Sequence, residues 1–366
     1  MTRDYRDRVR GCVLGGAVGD ALGAPVEFSS LPGIRAEHGR AGVREFVVEY
    51  VDGRPHRGRV TDDTQMTLFT MEGLIRADIA RGAHGPFDAV DALHDSYQSW
   101  LATQNRATPA GEGPGWLVGE QWLYDRRAPG NTCLTALMDA ARTPGNRGVQ
   151  ARNKSKGCGG VMRSAPFGLL PPHAGWDGAE VFSMAAHAAG LTHGHVTGKL
   201  ASAALALLVH RLLAGDGLHP ALDTVHTRLA QYPGHEETSD ALAEAREAAA
   251  REPVEPETVE RLGGGWIAEQ ALAIAVYCAL VHPGPHEMLD ALALAVTHTG
   301  DSDSTGAVCG NILGALHGEA AVPAELAAAV EGRDTALLLA DDFVWRFNRP
   351  ADAQAPDGWD RRYRNA

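Results

Sequence analysis

Aromatic residues make up only 6 % of this chain. A β-sandwich draws on aromatic and β-branched side chains. Their scarcity, set against 44 % hydrophobic residues of which many are alanine, favours closely packed helices. Basic charge is also short: 33 Lys and Arg against 46 Asp and Glu leave a formal net charge of −13. The longest basic run is RNKSK at 152–156, which argues against extended nucleic-acid binding. A small phosphate-bearing molecule stays open, because backbone N–H groups and metal ions balance such charge locally. Cysteine occurs five times, an odd number without a CxxC pair, which is the usage of a reducing compartment. Long apolar runs are lacking: nothing approaches about 18 consecutive apolar residues, so no membrane span is expected. The opening MTRDYRDRVRGCVLGGAVGD carries Asp4 and Asp7 where a secretory leader is purely basic. The expectation is a cytoplasmic monomer with no membrane partner.

What is present is helical periodicity. It predicts helices over 5–23, 64–81, 86–103, 132–142, 177–191, 197–214, 219–231, 236–251, 266–281, 286–297, 304–317 and 332–346. One stretch, VREFVVEYV at 43–51, has strand composition but stands alone, so no real sheet is expected. TPAGEGPG (108–115), TPGNRGVQARNKSKG (143–157) and REPVEPE (251–257) read as loops. The prediction is one domain over 1–349, followed by a polar tail over 350–366 whose PADAQAPDG stretch reads as poorly ordered.

Glycine is plentiful, at 43 residues, and its placement is regular. The first predicted helix carries Gly11, Gly15, Gly19 and Gly23; a late one carries Gly306, Gly310 and Gly314. Residues four apart share a helix face. Each glycine costs about 1 kcal/mol in helix propensity relative to alanine, a cost that makes sense where another backbone must approach closely. Two central helices packed near their axes would carry Asp20, Asp301 and Asp303 into the interior. A close-packed pair without function has the same pattern.

Two acidic segments, VTDDTQM (60–66) and HTGDSDSTG (298–306), each open an apolar helix. Taken singly, either is a helix cap: Thr61 or Asp301 accepts from the first turn, and the acids face the positive end of the helix dipole. Taken together, Asp62, Asp63, Asp301 and Asp303 would repel one another if buried. Hard divalent cations resolve that conflict, and oxygen donors without His or Cys suit Mg²⁺, Mn²⁺ or Ca²⁺. Four aspartates suit two ions about 3.5–4 Å apart. GDALGAPVEF (19–28) adds Asp20, read as a hydrogen-bond acceptor for backbone amides, and Glu27, which follows Pro25 past the helix end and either reaches a cleft or is a loop acid. GCGGVMRSAPFG (157–168) is a glycine-rich turn into an apolar helix, open to cradling phosphate through free N–H groups or to being a plain loop. His193 and His195 lie two apart in LTHGHV without a third soft ligand, which favours a hydrogen-bonding role over zinc. Trp266 follows three glycines and is either core or a ring that stacks on a flat base.

GDALG with Glu27, TDDTQM, GNTC (130–133), GCGGVMR, THGH and TGDSDSTGAVCG together resemble the ADP-ribosylglycohydrolase family, most strongly its bacterial branch, which includes the dinitrogenase reductase-activating glycohydrolases. The resemblance runs from about residue 8 to 346. It implies an all-α, single compact orthogonal helical domain with a binuclear metal cleft holding two Mg²⁺ or Mn²⁺ ions. It implies Thr61, Asp62, Asp63, Asp301, Asp303 and Ser304 as metal ligands, with Ser304 where the family usually has Thr. It implies a catalytic role for Glu27, with Asp62 and Asp303 beside it. Gly157, Gly159, Gly160 and Met162 match the phosphate-binding loop, though Cys158 stands where Asn is common. His193 matches a pocket histidine, and Trp266 falls near an aromatic that packs on adenine. The segment 214–262 looks enlarged.

The implied reaction is hydrolysis of the bond between ADP-ribose and an acceptor such as arginine, on an ADP-ribosylated protein or a small ADP-ribosyl conjugate. It passes through an oxocarbenium-like transition state. The alternative is an inactive ADP-ribose-binding or structural protein of the same fold. A helical prenyl or terpene synthase also uses Asp clusters, but wants a further acid where Thr64, Gln65 and Met66 follow Asp63.

Overall fold

The computed structural model describes residues 2–51, 53–82, 88–109, 114–143, 145, 147–349 and 353–364. Among them are seventeen α-helices and one two-stranded hairpin, so the fold is all-α. The predicted helices are all there, with ends shifted by a few residues; the start expected at 86 falls outside the described residues, as do 110–113, 144 and 146 of the predicted loops. The strand candidate 43–51 shrinks to Glu49–Val51, paired antiparallel with Arg54–His56. Of its apolar residues, Val43 and Phe46 are buried as irregular chain against the helices.

The centre is the antiparallel pair of glycine helices, Thr2–Gly23 and Ser302–His317. A β-carbon built on Gly11 would stand 2.6 Å from the Gly314 carbonyl oxygen; Gly15 and Gly19 meet Gly310 and Gly306 in the same way. Asn311 donates to the Cys12 carbonyl at 2.8 Å, stitching the same seam with a side chain. Backbones this close need glycine on both faces, which is why the propensity cost is tolerated.

Helices wrap this pair. Asp62–Arg81 packs beside it and is buried along most of its length. Val196–Leu213 is, by length and a mean hydropathy of 1.4, apolar enough to cross a membrane, but Lys199 and Arg211 interrupt its apolar run and 78 % of it is buried inside the protein. The segment 214–262 forms three helices, Leu218–Leu229, Glu236–Arg251 and Pro256–Leu262, the second packed on Ala268–Val281. The tail also departs from expectation. Residues 350–352 lie outside the described residues, but Trp359 and Tyr363 are buried with their rings tilted against each other, centroids 4.3 Å apart, and Arg362 pairs with buried Asp342 at 2.6 Å.

Candidate metal cleft

The close approach of the glycine helices decides where the acids go. Gly23 abuts the Ser302 backbone, so the end of the first helix lies against the start of Ser302–His317. Asp20, one turn back, is fully buried between them. Its carboxylate accepts from the Thr61 N–H at 3.0 Å, the Thr64 N–H at 3.1 Å and the Thr64 hydroxyl at 2.5 Å. Asp20 therefore docks the start of Asp62–Arg81 onto the seam, as its reading as an amide acceptor expects.

Both acidic segments are caps as well. Thr61 Oγ1 accepts from the Asp63 N–H at 3.2 Å, and the Asp301 carboxylate accepts from the Ser304 N–H at 3.4 Å. Capping leaves oxygens over. Glu27, Asp62, Asp63, Asp301, Asp303 and Ser304 all line one cavity of about 340 Å³. Oxygens of Glu27, Asp301 and Asp303 lie within 4.8 Å of one another. Glu27 reaches them because Pro25 cannot continue the helix: it has no N–H, and its ring clashes with the preceding turn. The chain turns through a short 3-10 segment, Ala24–Val26, and brings Glu27 back over the cleft. Leu31 and Val43 then anchor that loop by donating to the hydroxyls of Thr299 and Thr297, at 2.8 and 3.2 Å.

No Lys or Arg lines the cavity among the described residues. Burial, with Asp303 next, pushes Glu27 up to about 9 and Asp20 up to about 7. Burial and then Asp303 also raise Asp62, Asp63 and Asp301 well above the carboxylate range. Asp63 Oδ2 is buried with no protein partner. A buried orphan acceptor in a set of mutually repelling carboxylates fits a hard divalent cation.

The rest of the cavity wall is built by one loop. Gly265, at φ +77°, has no room for a β-carbon, which would lie 3.2 Å from Asp301 Cβ. The Gly264 carbonyl accepts from the Asp301 N–H at 2.8 Å, and the Trp266 carbonyl accepts from the Cys158 N–H at 3.2 Å. The loop 263–267 thus ties the second Asp segment to the glycine turn. Trp266 is left at the mouth, 45 % exposed and stacked on Phe28 with centroids 5.7 Å apart. Of the glycine turn, Gly157, Cys158, Gly159 and Met162 line the cavity. The expected supply of free N–H groups is smaller than read: Gly157 N–H donates to Ser155 Oγ at 3.2 Å and Cys158 N–H is taken by Trp266. Gly160 does not line the cavity; it faces Ser202 and Ala189 in the core. Thr61 likewise stands outside the lining, its Oγ1 accepting from the Asp63 N–H.

His193 is buried against Gly159, with Nδ1 2.8 Å from the Thr192 hydroxyl. Burial, with Arg163 next, lowers it to about 3, so the ring is neutral at ordinary pH. His195 does not line the cavity; it caps Val196–Leu213 by accepting from the Thr197 N–H at 3.2 Å. Sequence reasoning missed four neighbours. Arg163, 1 % exposed, donates to the Gly159 carbonyl and to the Thr192 hydroxyl, and lies over the Tyr97 ring at 4.6 Å. A lone Arg in the apolar run VMRSAPFGLL was the available signal. Phe28, Asn131 and Thr132 line the cavity from motifs that were quoted without being assigned.

The sequence profile of the ADP-ribosylglycohydrolase family matches residues 1–353. The chain is 26 % identical to ADP-ribosylhydrolase ARH3 of Mus musculus, over 91 % of this chain and 90 % of that protein. It is 24 % identical to ADP-ribosyl-[dinitrogen reductase] glycohydrolase of Rhodospirillum rubrum, over 87 % of this chain and 88 % of that protein. A solved structure described as an ADP-ribosylglycohydrolase-related protein complex superposes with a TM-score of 0.66 at 26 % identity, covering 95 % of this chain and 99 % of that one. The chain belongs to the ADP-ribosylglycohydrolase family and is a glycosyl hydrolase of that class.

Proposed function

We propose that this member of the ADP-ribosylglycohydrolase family hydrolyses the N-glycosidic bond between ADP-ribose and an arginine side chain, reversing mono-ADP-ribosylation of a protein or a small conjugate. The carrying observation is the meeting of Asp62 and Asp63 with Asp301, Asp303 and Glu27 in one cavity that no Lys or Arg lines among the described residues.

Asp62, Asp63, Asp301, Asp303 and Ser304, which line the cavity, would hold two Mg²⁺ or Mn²⁺ ions, which supply charge neutralisation and Lewis acidity toward the ribose hydroxyls and water. Glu27, ionised once bound cations would offset its neighbours Asp62 and Asp303, takes the proton of the attacking water and returns it to the leaving nitrogen as the oxocarbenium-like sugar collapses. Gly159 and Met162 border the path of the diphosphate. Neutral His193 offers Nε2 as a hydrogen-bonding group without adding charge.

The mouth favours arginine as acceptor. Trp266 and Phe28 present flat π-faces next to an acidic cavity. A planar, delocalised cation gains from both features, and a guanidinium is such a cation. The test is incubation with arginine-, serine- and nucleobase-linked ADP-ribose, with Mg²⁺ and with EDTA. Metal-dependent release of ADP-ribose, fastest from arginine, is expected. No release from any conjugate would end the proposal; release from serine alone would move the acceptor.

A further inference from the structure

Cys158 stands apart from the other four cysteines. Those four are buried; Cys158 is half-buried and lines the acidic cavity. Its backbone is pinned on both sides: the N–H donates to the Trp266 carbonyl at 3.2 Å, and the carbonyl accepts from Met162 N–H at 3.1 Å. A short 3-10 turn between two glycines therefore fixes where the side chain goes. The thiol donates to Asp301 Oδ2 at 2.7 Å. Asp301 belongs to the second acidic segment, whose Asp303 and Ser304 line the same cavity. Across the same cavity, Asp63 Oδ2 is buried and has no protein partner, which independently fits a divalent cation as its partner.

We propose that Cys158 Sγ is a ligand of the cleft, so that the site is a mixed oxygen–sulfur centre rather than an oxygen-only one. The inference rests on the reading of the cleft as a divalent-cation site. As the sulfur–metal bond forms, the thiol proton now shared with Asp301 leaves to solvent. A sulfur donor among carboxylates raises affinity for borderline and soft ions (Co²⁺, Zn²⁺, Cd²⁺) far more than for Mg²⁺, which takes oxygen. The chain therefore discriminates among divalent ions differently from a cleft with an amide at this position.

The test is optical and needs no turnover. Chelator-treated full-length protein is titrated with Co²⁺ and read for the near-ultraviolet sulfur-to-cobalt charge-transfer band, beside calorimetric titrations with Cd²⁺ and Mg²⁺. The wild type is expected to develop the band with saturation. Cys158→Ser is expected to bind Co²⁺ without it and to lower the ratio of Cd²⁺ to Mg²⁺ affinity by at least about tenfold. Cys133→Ser, changing the other cysteine in the cavity wall, is expected to keep the band. Saturable cobalt binding without the band, or a band that survives in Cys158→Ser, would overturn the sulfur ligand alone. No cobalt binding at all would overturn it together with the metal cleft. Should Cys158→Ser misfold by circular dichroism, the wild-type and Cys133→Ser spectra decide together: a band in both supports Cys158, and a band lost in Cys133→Ser or absent from wild type overturns it.

Discussion

Gly19 and Gly306 meet backbone to backbone: a β-carbon on either would fall on the carbonyl oxygen of the other. One turn along, the same contact brings Asp20 under Thr61 and Asp303 beside Glu27, so the helix seam and the acidic cavity are one construction.

Gly306→Ala should therefore destabilise, although alanine is the better helix former by about 1 kcal/mol. The clash is with backbone that has no rotamer to change, and overpacking of this kind costs about 1–3 kcal/mol. Chemical denaturation should show a lowered midpoint, and metal affinity should fall with it, because the acids are carried on the displaced helices. A midpoint at or above wild type would contradict the seam as described.

Asp303→Asn separates repulsion from ligation. Asp303 follows burial as a cause of the raised Asp62, Asp63 and Asp301 carboxyls. Without metal, its neutralisation should raise Tm. With Mg²⁺ in excess, wild type should gain by mass action, about 2.7 kcal/mol at a hundredfold excess over Kd, and the variant should gain far less. Release of ADP-ribose should drop by about 100-fold or more. The crossover in Tm is the discriminating readout: a variant less stable in both conditions would count against buried repulsion.

The metal-free protein should lose stability as pH rises. Glu27 at about 9 and Asp20 at about 7 both sit above their unfolded values, as does Glu72 at about 7, buried beside the Trp116 and Leu117 N–H groups outside the cleft. A carboxyl raised on folding binds its proton more tightly in the native state. Its contribution is complete below the unfolded pKa and is lost as pH rises through the folded one. Unfolding with EDTA from about pH 5 to about pH 9 should show a steady decline. Divalent metal should flatten the part due to the cleft, and Glu72→Gln the part that metal leaves. A rise in stability across that window would refute the burial described here.

Trp266→Ala and Phe28→Ala should act on the acceptor end. Loss of a cation–π contact of about 0.5–2 kcal/mol corresponds to a rise in KM of about 2- to 30-fold for an arginine conjugate. Affinity for free ADP-ribose should change little. If calorimetry instead shows ADP-ribose binding lost in Trp266→Ala, the ring packs on the base, as the family resemblance implied, and the acceptor reading falls.

Much of this was legible in the chain. The 3.6-residue periodicity gives the helices, since burial of one face is a local pattern. The four-residue spacing of Gly11, Gly15, Gly19 and Gly23 and of Gly306, Gly310 and Gly314 gives the seam, because a glycine ridge has few other uses. The acids at 62, 63, 301 and 303 announce themselves by sitting at helix starts with more oxygens than a cap requires. The strand at 43–51 was misread because β-branched residues also serve as irregular chain pressed on a helical core. The tail was misread because Pro, Ala and Asp obscured Trp359 and Tyr363, whose burial depends on distant partners.

The sequence by itself determined the helices, the two glycine ridges and which acids line the cavity from the two acidic segments, since each is written in spacing along one segment. Only the tertiary structure decided that Glu27, Asp62 and Asp303 share a cavity, that Gly160 faces the core, that Arg163 clamps the Gly159 carbonyl, and that the Cys158 thiol touches Asp301. Those contacts join residues tens to hundreds of positions apart. Sequence spacing carries no information on such pairs until close packing removes the alternatives.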